Sequence, residues 1–337
     1  MAYAGVNKTL LVASAWVGDM VMSHTLVQRL AQAQPQVQID VLAPAATAPL
    51  AQRMAEVKHT HVLHVGHGEL GLTRRWRIAR QIRSAGYRAA YVLPNTWKSA
   101  LVPWLAGIPQ RSGWLGEMRY GLLNDYRRLE AGNYPLMIER FMALADPAGN
   151  LPPPPYPDPR LEVDADNLSK LCGQLGLSTT PRITALCPGA EFGAAKKWPA
   201  RHYAALAQRL LDGGDQVWLL GSPNDKDDCA RIAELAPGVV DLAGRTSLLD
   251  AIDLLSLADQ AVCNDSGLMH IACALQVPTV GIFGSTSPAF TPPLGPLARV
   301  AEIELDCRPC FQRECPLGHL NCLHQLTPDD VAGRLQP

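Results

Sequence analysis

Apolar residues in this chain alternate between short continuous runs and longer stretches in which they recur every three or four positions. In the first half the runs are 9–13, 38–43, 60–65 and 89–93, and residues 20–33 and 73–84 between them have helical spacing. After residue 160 the alternation resumes, with strand-like runs at 183–187, 216–220, 239–242, 260–263 and 279–283. The helix-like stretches there are 200–211, 225–235, 248–255 and 268–275. A continuous apolar run bounded by loop residues marks a strand buried on both faces, and regular strand–helix alternation predicts parallel α/β sheets.

The segment 151–159, LPPPPYPDP, can be neither helix nor central strand. It predicts a stiff connector at 152–159 between an N-terminal domain, 1–151, and a C-terminal domain, 160–337. With 337 residues the chain can bury two cores. The apolar fraction of 47% against 18% charged residues excludes a disordered chain.

The net charge of −1 argues against a nucleic-acid partner, yet the halves differ. Residues 1–150 hold 16 Lys and Arg against 9 Asp and Glu, and the remainder holds 14 against 22. An anionic partner is therefore expected for the first half. The run 9–17 after Lys8 reads as a buried first strand rather than a signal peptide, because Asp19 follows at once. No stretch has the roughly 18–20 apolar residues of a membrane span, so a cytoplasmic protein is expected. Five cysteines, Cys172, Cys187, Cys229, Cys263 and Cys273, sit among apolar residues as small core fillers.

Three loops that follow predicted strands carry candidate chemistry. In QAVCNDSGLMHIACAL, 260–275, a strand ends at Asn264–Asp265 and a helix opens at Ser266 and Gly267, with His270 one turn on. Helix-start amides beside a glycine make a diphosphate site, although an ordinary N-cap before a core helix has the same letters. In CPGAEFGAAKKWP, 187–199, Lys196 and Lys197 enter a loop at a strand's carboxyl end, where they can neutralise a leaving diphosphate or stand solvated. In AWVGDM, 15–20, Gly18 is expected to allow a tight turn, and Asp19 at the helix start can be a general base or a cap. In open α/β sheets such loops line the ligand crevice, and in two-domain versions the site is expected in the cleft between the sheets.

Two motifs fail on context. Gly66-His67-Gly68-Glu69-Leu70-Gly71 matches GxGxxG but follows the third strand-like run, and no acidic residue ends the next one. Asp164-Ala165-Asp166 resembles a metal-binding DxD, yet capping of the next helix explains it better. Near the C-terminus Cys307, Cys310, Cys315 and Cys322, with His319 and His324 close by, have the density of a structural zinc site. Free thiols and oxidation products are the alternatives.

WVGDM, YVLPNTWKSALVPWLAGIPQRSGWLGEMRYGLLND at 91–125, CPGAEFGAAKKWP and NDSGLMHIA, in this order, resemble the ADP-heptose:lipopolysaccharide heptosyltransferases of glycosyltransferase family 9, in particular the second type. The resemblance spans nearly the whole chain. It implies the GT-B form of the α/β class: two facing Rossmann-like domains with an interdomain cleft, acceptor bound mainly by the first and ADP-heptose mainly by the second. It makes Asp19 the base and Lys196 the group facing the donor diphosphate. Trp16, Val17, Gly18, Gly189, Glu191, Lys197, Gly221, Ser222, Thr246, Asp265, Ser266, Gly267 and His270 are the implied donor-binding residues. Asn95, Lys98, Arg111 and Arg119 are the implied acceptor contacts, and Arg74, Arg77, Arg80 and Arg83 are either further contacts or a solvated helix face. The implied reaction is inverting and needs neither metal nor cofactor, on a lipopolysaccharide inner-core acceptor at the cytoplasmic face of the inner membrane. The loop Ala13-Ser14-Ala15 departs from the more glycine- or proline-rich turn of the family. A type I or III heptosyltransferase, another GT-B sugar-nucleotide transferase and a non-catalytic nucleotide-sugar binder are the other readings; the last has no need of a carboxylate at Asp19.

Overall fold

The computed structural model describes residues 7–66, 68–150 and 154–335. Residues 151–153 of the proline connector and His67 of the glycine loop lie outside the described residues. The chain divides into two units, Met1–Pro159 and Arg160–Pro337.

In the first unit the order is β1 (Lys8–Val12), α1 (Val17–Met22), α2 (His24–Ala33), β2 (Gln38–Pro44), α3 (Ala48–Ala51), β3 (Val57–Leu63), α4 (Leu72–Ala85) and β4 (Ala89–Val92). It continues with α5 (Leu101–Leu105), β5 (Gln110–Trp114), β6 (Asp125–Arg127) and α6 (Met137–Met142). The strands pair in the order β3-β2-β1-β4-β5-β6, all parallel. Leu10, Val12, Leu42, Ile82, Val92 and Val102 pack into one core.

The second unit opens with α7 (Ala165–Leu175), β7 (Ile183–Cys187), α8 (Ala200–Asp212), β8 (Gln216–Leu219), α9 (Lys226–Leu235) and β9 (Val240–Asp241). Then come α10 (Leu248–Leu255), β10 (Gln260–Asn264), α11 (Gly267–Ala274), β11 (Thr279–Ile282), β12 (Ala298–Ala301), α12 (Asn321–His324) and α13 (Pro328–Ala332). Its order, β12-β11-β10-β7-β8-β9, is again parallel and repeats the first unit's winding. Every residue of β7 and β10 is buried, which is why both read as unbroken apolar runs. Cys187 and Cys263 lie opposite each other in these strands, fully buried, as the core-filler reading expects. Both sheets reverse strand order beside their first strand, and the crevice at such a reversal is where α/β sheets bind ligands.

Several expectations change. The helix expected over 20–33 starts earlier and breaks at Ser23, whose hydroxyl donates to the Met20 carbonyl at 2.7 Å while Thr25 Oγ1 donates to Met22 O at 2.9 Å. Such back-bonding competes with the helical ladder and divides it. Gly18 sits inside α1 and makes no turn of its own. Strands β5, β6 and β12 were invisible to periodicity because QRSGW and DYR are largely polar and ARVA is only four residues long. They form only because neighbouring buried strands template them. Asp164 caps α7 by accepting from the amides of Asp166 and Asn167, so the DxD is a cap as expected. The rejected GxGxxG follows the edge strand β3, away from the reversal point.

Candidate functional site

In the second unit the reversal lies between β7 and β10, the two strands that carry the CPGAEFGAAKKWP and NDSGLMHIA motifs. Lys196, leaving β7, sets its ammonium 2.6 Å from the Asp265 carboxylate at the end of β10 and donates to the Asp265 carbonyl at 3.2 Å. Asp265 is buried and accepts a second bond, from Thr286 Oγ1 at 2.5 Å. Ser266 is the N-cap of α11 with no side-chain capping bond. Its Oγ, the Nδ1 of His270 and the Oγ of Ser285 are buried without a hydrogen-bond partner. Orphaned buried polar atoms are costly, and those of Ser266 and His270 beside this ion pair at a strand end point to a ligand that completes them. Burial, reinforced by Lys196 and opposed by Asp265, pushes the His270 imidazole down to about 4, so it is neutral at pH 7.

Asn264 locks this arrangement. Its Nδ2 donates to Pro188 O at 2.6 Å, and its Oδ1 accepts from the Trp198 amide at 3.1 Å and the Tyr203 hydroxyl at 3.0 Å. One buried amide thus ties both ends of the lysine loop to the neighbouring strand. Lys197 turns away from Asp265 to Asp228 at 2.7 Å and Asp225 at 3.7 Å; burial works against its charge, but these carboxylates hold its pKa above the usual range. A Cβ on Gly189 would collide with the Asp225 carboxylate, and one on Gly221 would crowd the Asp225 stem, so both glycines make room for Asp225. Ser222 donates to Asp225 Oδ2 at 2.7 Å, and exposed Glu191 accepts from it at 3.4 Å. Thr246 is half-buried in the loop between β9 and α10.

In the first unit the reversal lies between β1 and β4. Beyond β1, Ser14 Oγ donates to Asp19 Oδ2 at 3.0 Å and accepts from the Trp16 amide at 3.2 Å, while Thr47 Oγ1 donates to Ser14 O at 2.9 Å. Asp19 is the third residue of α1, whose N-cap is Trp16; it is not the cap itself. Trp16 is 41% exposed and Val17 half-buried. Beyond β4 come exposed Asn95 and half-buried Lys98, which brings these two expected contacts to the same reversal.

One other expected contact is corrected. Arg119 is fully buried and donates to Pro94 O at 2.5 Å, to Trp114 O and to Asn95 Oδ1 at 3.3 Å. Burial pushes its guanidinium down to about 10. It braces the loop after β4 and cannot reach an acceptor. Arg111 is half-buried and donates to Leu122 O and Ile108 O, both at 2.6 Å. Asn264, Asp225, Thr286 and Ser14 were missed as positioning residues. Only Asp225 had a local signal, the Ser222-x-x-Asp225 capping box.

The four C-terminal cysteines line one cavity with His319, Ala195 and Ser285. No disulfide joins them, and among the described residues no group of three or more His, Cys, Asp or Glu is arranged to hold a metal ion. The zinc arrangement that their spacing suggested is therefore not found among the described residues. The Leu320 amide, with those of Leu317, His319 and Gly318, holds the Cys315 thiol below its usual range, while burial pushes Cys322 up. Ala195 N donates to Arg313 O at 3.0 Å and Phe311 N to Ser285 O at 2.8 Å, so this loop is laced to the lysine loop and to the loop after β11.

Comparison with known proteins matches residues 75–321 to the model of "Glycosyltransferase family 9 (heptosyltransferase)". Lipopolysaccharide heptosyltransferase 2 of Escherichia coli (strain K12) is 43% identical over 338 residues, covering 97% of both chains. Lipooligosaccharide heptosyltransferase 2 of Haemophilus ducreyi is 41% identical over 343 residues, covering 97% of this chain and 98% of that one. The solved structure of E. coli ADP-heptose lps heptosyltransferase II superposes with a TM-score of 0.87 at 42% identity, covering 97% of each chain.

Proposed function

From the premise that the chain belongs to glycosyltransferase family 9, we propose that it transfers a heptose from ADP-heptose to the heptose–Kdo–lipid A inner core of lipopolysaccharide. The observation that carries this reading is the meeting of Lys196 and Asp265 at the reversal between β7 and β10, beside the orphaned polar atoms of Ser266 and His270. There the donor's diphosphate would take the Lys196 ammonium and the amides opening α11, which together stabilise departing ADP.

The reaction we assign is a single displacement with inversion. The acceptor oxygen attacks the anomeric carbon, the carbon–oxygen bond to ADP breaks, and the acceptor's proton passes to the Asp19 carboxylate. Lys196 supplies the positive charge at the leaving group, so no metal or cofactor is required. Glu191, Ser222 and Thr246 border the nucleotide in this reading, and Asn95 and Lys98 meet the acceptor. Among the described residues no helix is long and apolar enough to cross a membrane. The enzyme would meet its lipid-anchored acceptor from the cytoplasmic side, as a protein that visits the inner membrane.

The test is incubation with ADP-heptose and defined inner-core acceptors, with product read by mass spectrometry and anomeric configuration by NMR. A heptosylated product of inverted configuration, formed equally with chelator, is expected. Binding of ADP-heptose without product would mark a binder, and a retained configuration would overturn the single displacement.

A further inference from the structure

Helix α4 reverses the usual disposition of its residue types. Arg75 is buried, donating to Leu70 O at 2.7 Å and Lys98 O at 2.9 Å, whereas the neighbouring Trp76 is 52% exposed and Leu72 55%. Ala79 and Ile82 share the buried side with Arg75. With 3.6 residues per turn, Leu72, Trp76 and Arg80 stack on successive turns of the outer face, with Arg83 beside them. The Arg80 guanidinium lies over the Trp76 ring, 4.9 Å from its centroid. Arg83 donates to Leu105 O at 2.6 Å, which brings the end of α5 and its 47% exposed Trp104 to the same end of α4. Residues 72–85 contain five arginines and no acidic residue.

Exposed tryptophan and leucine cost free energy in water, and no core claims them here. A tryptophan ring is most at home in the headgroup region of a bilayer, amphipathic helices lie there on their apolar side, and arginine beside it is drawn to anionic headgroups. We propose that the outer face of α4, with Trp104, is the surface by which the first unit docks on an anionic phospholipid bilayer. Charge complementarity selects this occupant, since Arg77, Arg80 and Arg83 stand exposed on a helix that carries no carboxylate and repel a second copy of the same face, whereas Arg75 is buried and Arg74 pairs with Glu69. The inference deepens the proposed encounter with a lipid-anchored acceptor, but its test requires no turnover and so fails or succeeds separately from that reading.

The experiment is co-sedimentation of the full chain with sucrose-loaded vesicles of phosphatidylcholine, with or without phosphatidylglycerol. Binding is expected only with the anionic lipid and should weaken as salt rises. Trp76→Ser and Arg80→Glu should each lower partitioning by roughly ten-fold, and Trp76→Tyr, which keeps an interfacial ring, should retain most of it. Circular dichroism on each variant controls for folding. Wild-type protein that stays in the supernatant, or variants that sediment like wild type, overturns the proposal. Self-association without vesicle binding, abolished by Trp76→Ser, would overturn it in favour of a second copy.

Discussion

The Lys196 ammonium stands 2.6 Å from the Asp265 carboxylate, joining two loops 69 residues apart in the chain. Each group limits the other. Asp265 holds the lysine aimed across the end of the strand, and the lysine keeps a buried carboxylate from standing alone.

Lys196→Ala should therefore damage both binding and turnover. Because the lost cation faces charge that grows as the leaving group departs, we expect kcat/KM to fall about 10²- to 10³-fold. Titration calorimetry with ADP should show weaker binding in parallel. An unchanged ADP affinity would mean that Lys196 serves only Asp265.

Ser14 bears on the proposed base. Asp19→Asn should abolish transfer and leave ADP-heptose affinity within a few fold, a difference measurable by calorimetry beside activity. Ser14→Ala removes a donor to the ionised carboxylate, so the acidic limb of the kcat/KM profile should move to higher pH. A profile that does not move assigns Ser14 to the loop backbone alone.

His270 gives a pH dependence of stability. Its pKa is about 4 in the folded chain and about 6.5 when unfolded. The unfolded chain therefore binds more protons between these values, and stability rises with pH across that window and is lost as pH falls through it. Urea denaturation should lose about 2 kcal/mol between pH 7.5 and 5 from this group. His270→Gln, which cannot charge, should remove that slope, and an identical slope in the variant would assign it elsewhere.

Asn264→Ala leaves the Pro188 carbonyl and the Trp198 amide without their partner. The cost should be about 3 kcal/mol in urea unfolding, with ADP affinity falling as the lysine loop loosens. A loss of stability without loss of affinity would show that the loop holds its shape by other means.

The cysteine loop predicts an order of labelling. Thiolate character favours Cys315, held below the usual range by surrounding amides, and disfavours buried Cys322. With iodoacetamide under native conditions, mass spectrometry should find Cys315 modified well before Cys322. The reverse order would mean that the amides do not face that sulfur in solution.

Much of this was legible in the residues themselves. Runs such as 183–187 and 260–263 declared buried parallel strands because a strand covered on both faces must be apolar throughout, a local requirement that leaves a local mark. The glycine-bearing loops after those strands, and the order of the four motifs, likewise marked Asp19, Lys196 and Asp265 before any geometry was known. Pairing is different in kind, since no local pattern states which strand end lies beside which. Only the strand order brought Lys196 to Asp265, gave Asn264 its three partners and added the short strands β5, β6 and β12. Tertiary packing also buried Arg119 and Arg75, whose charges had marked them or their neighbours as surface groups, and left Trp76 outside. Periodicity records what an element needs around it; which donor meets which acceptor depends on elements far along the chain, and that is settled when the sheets close.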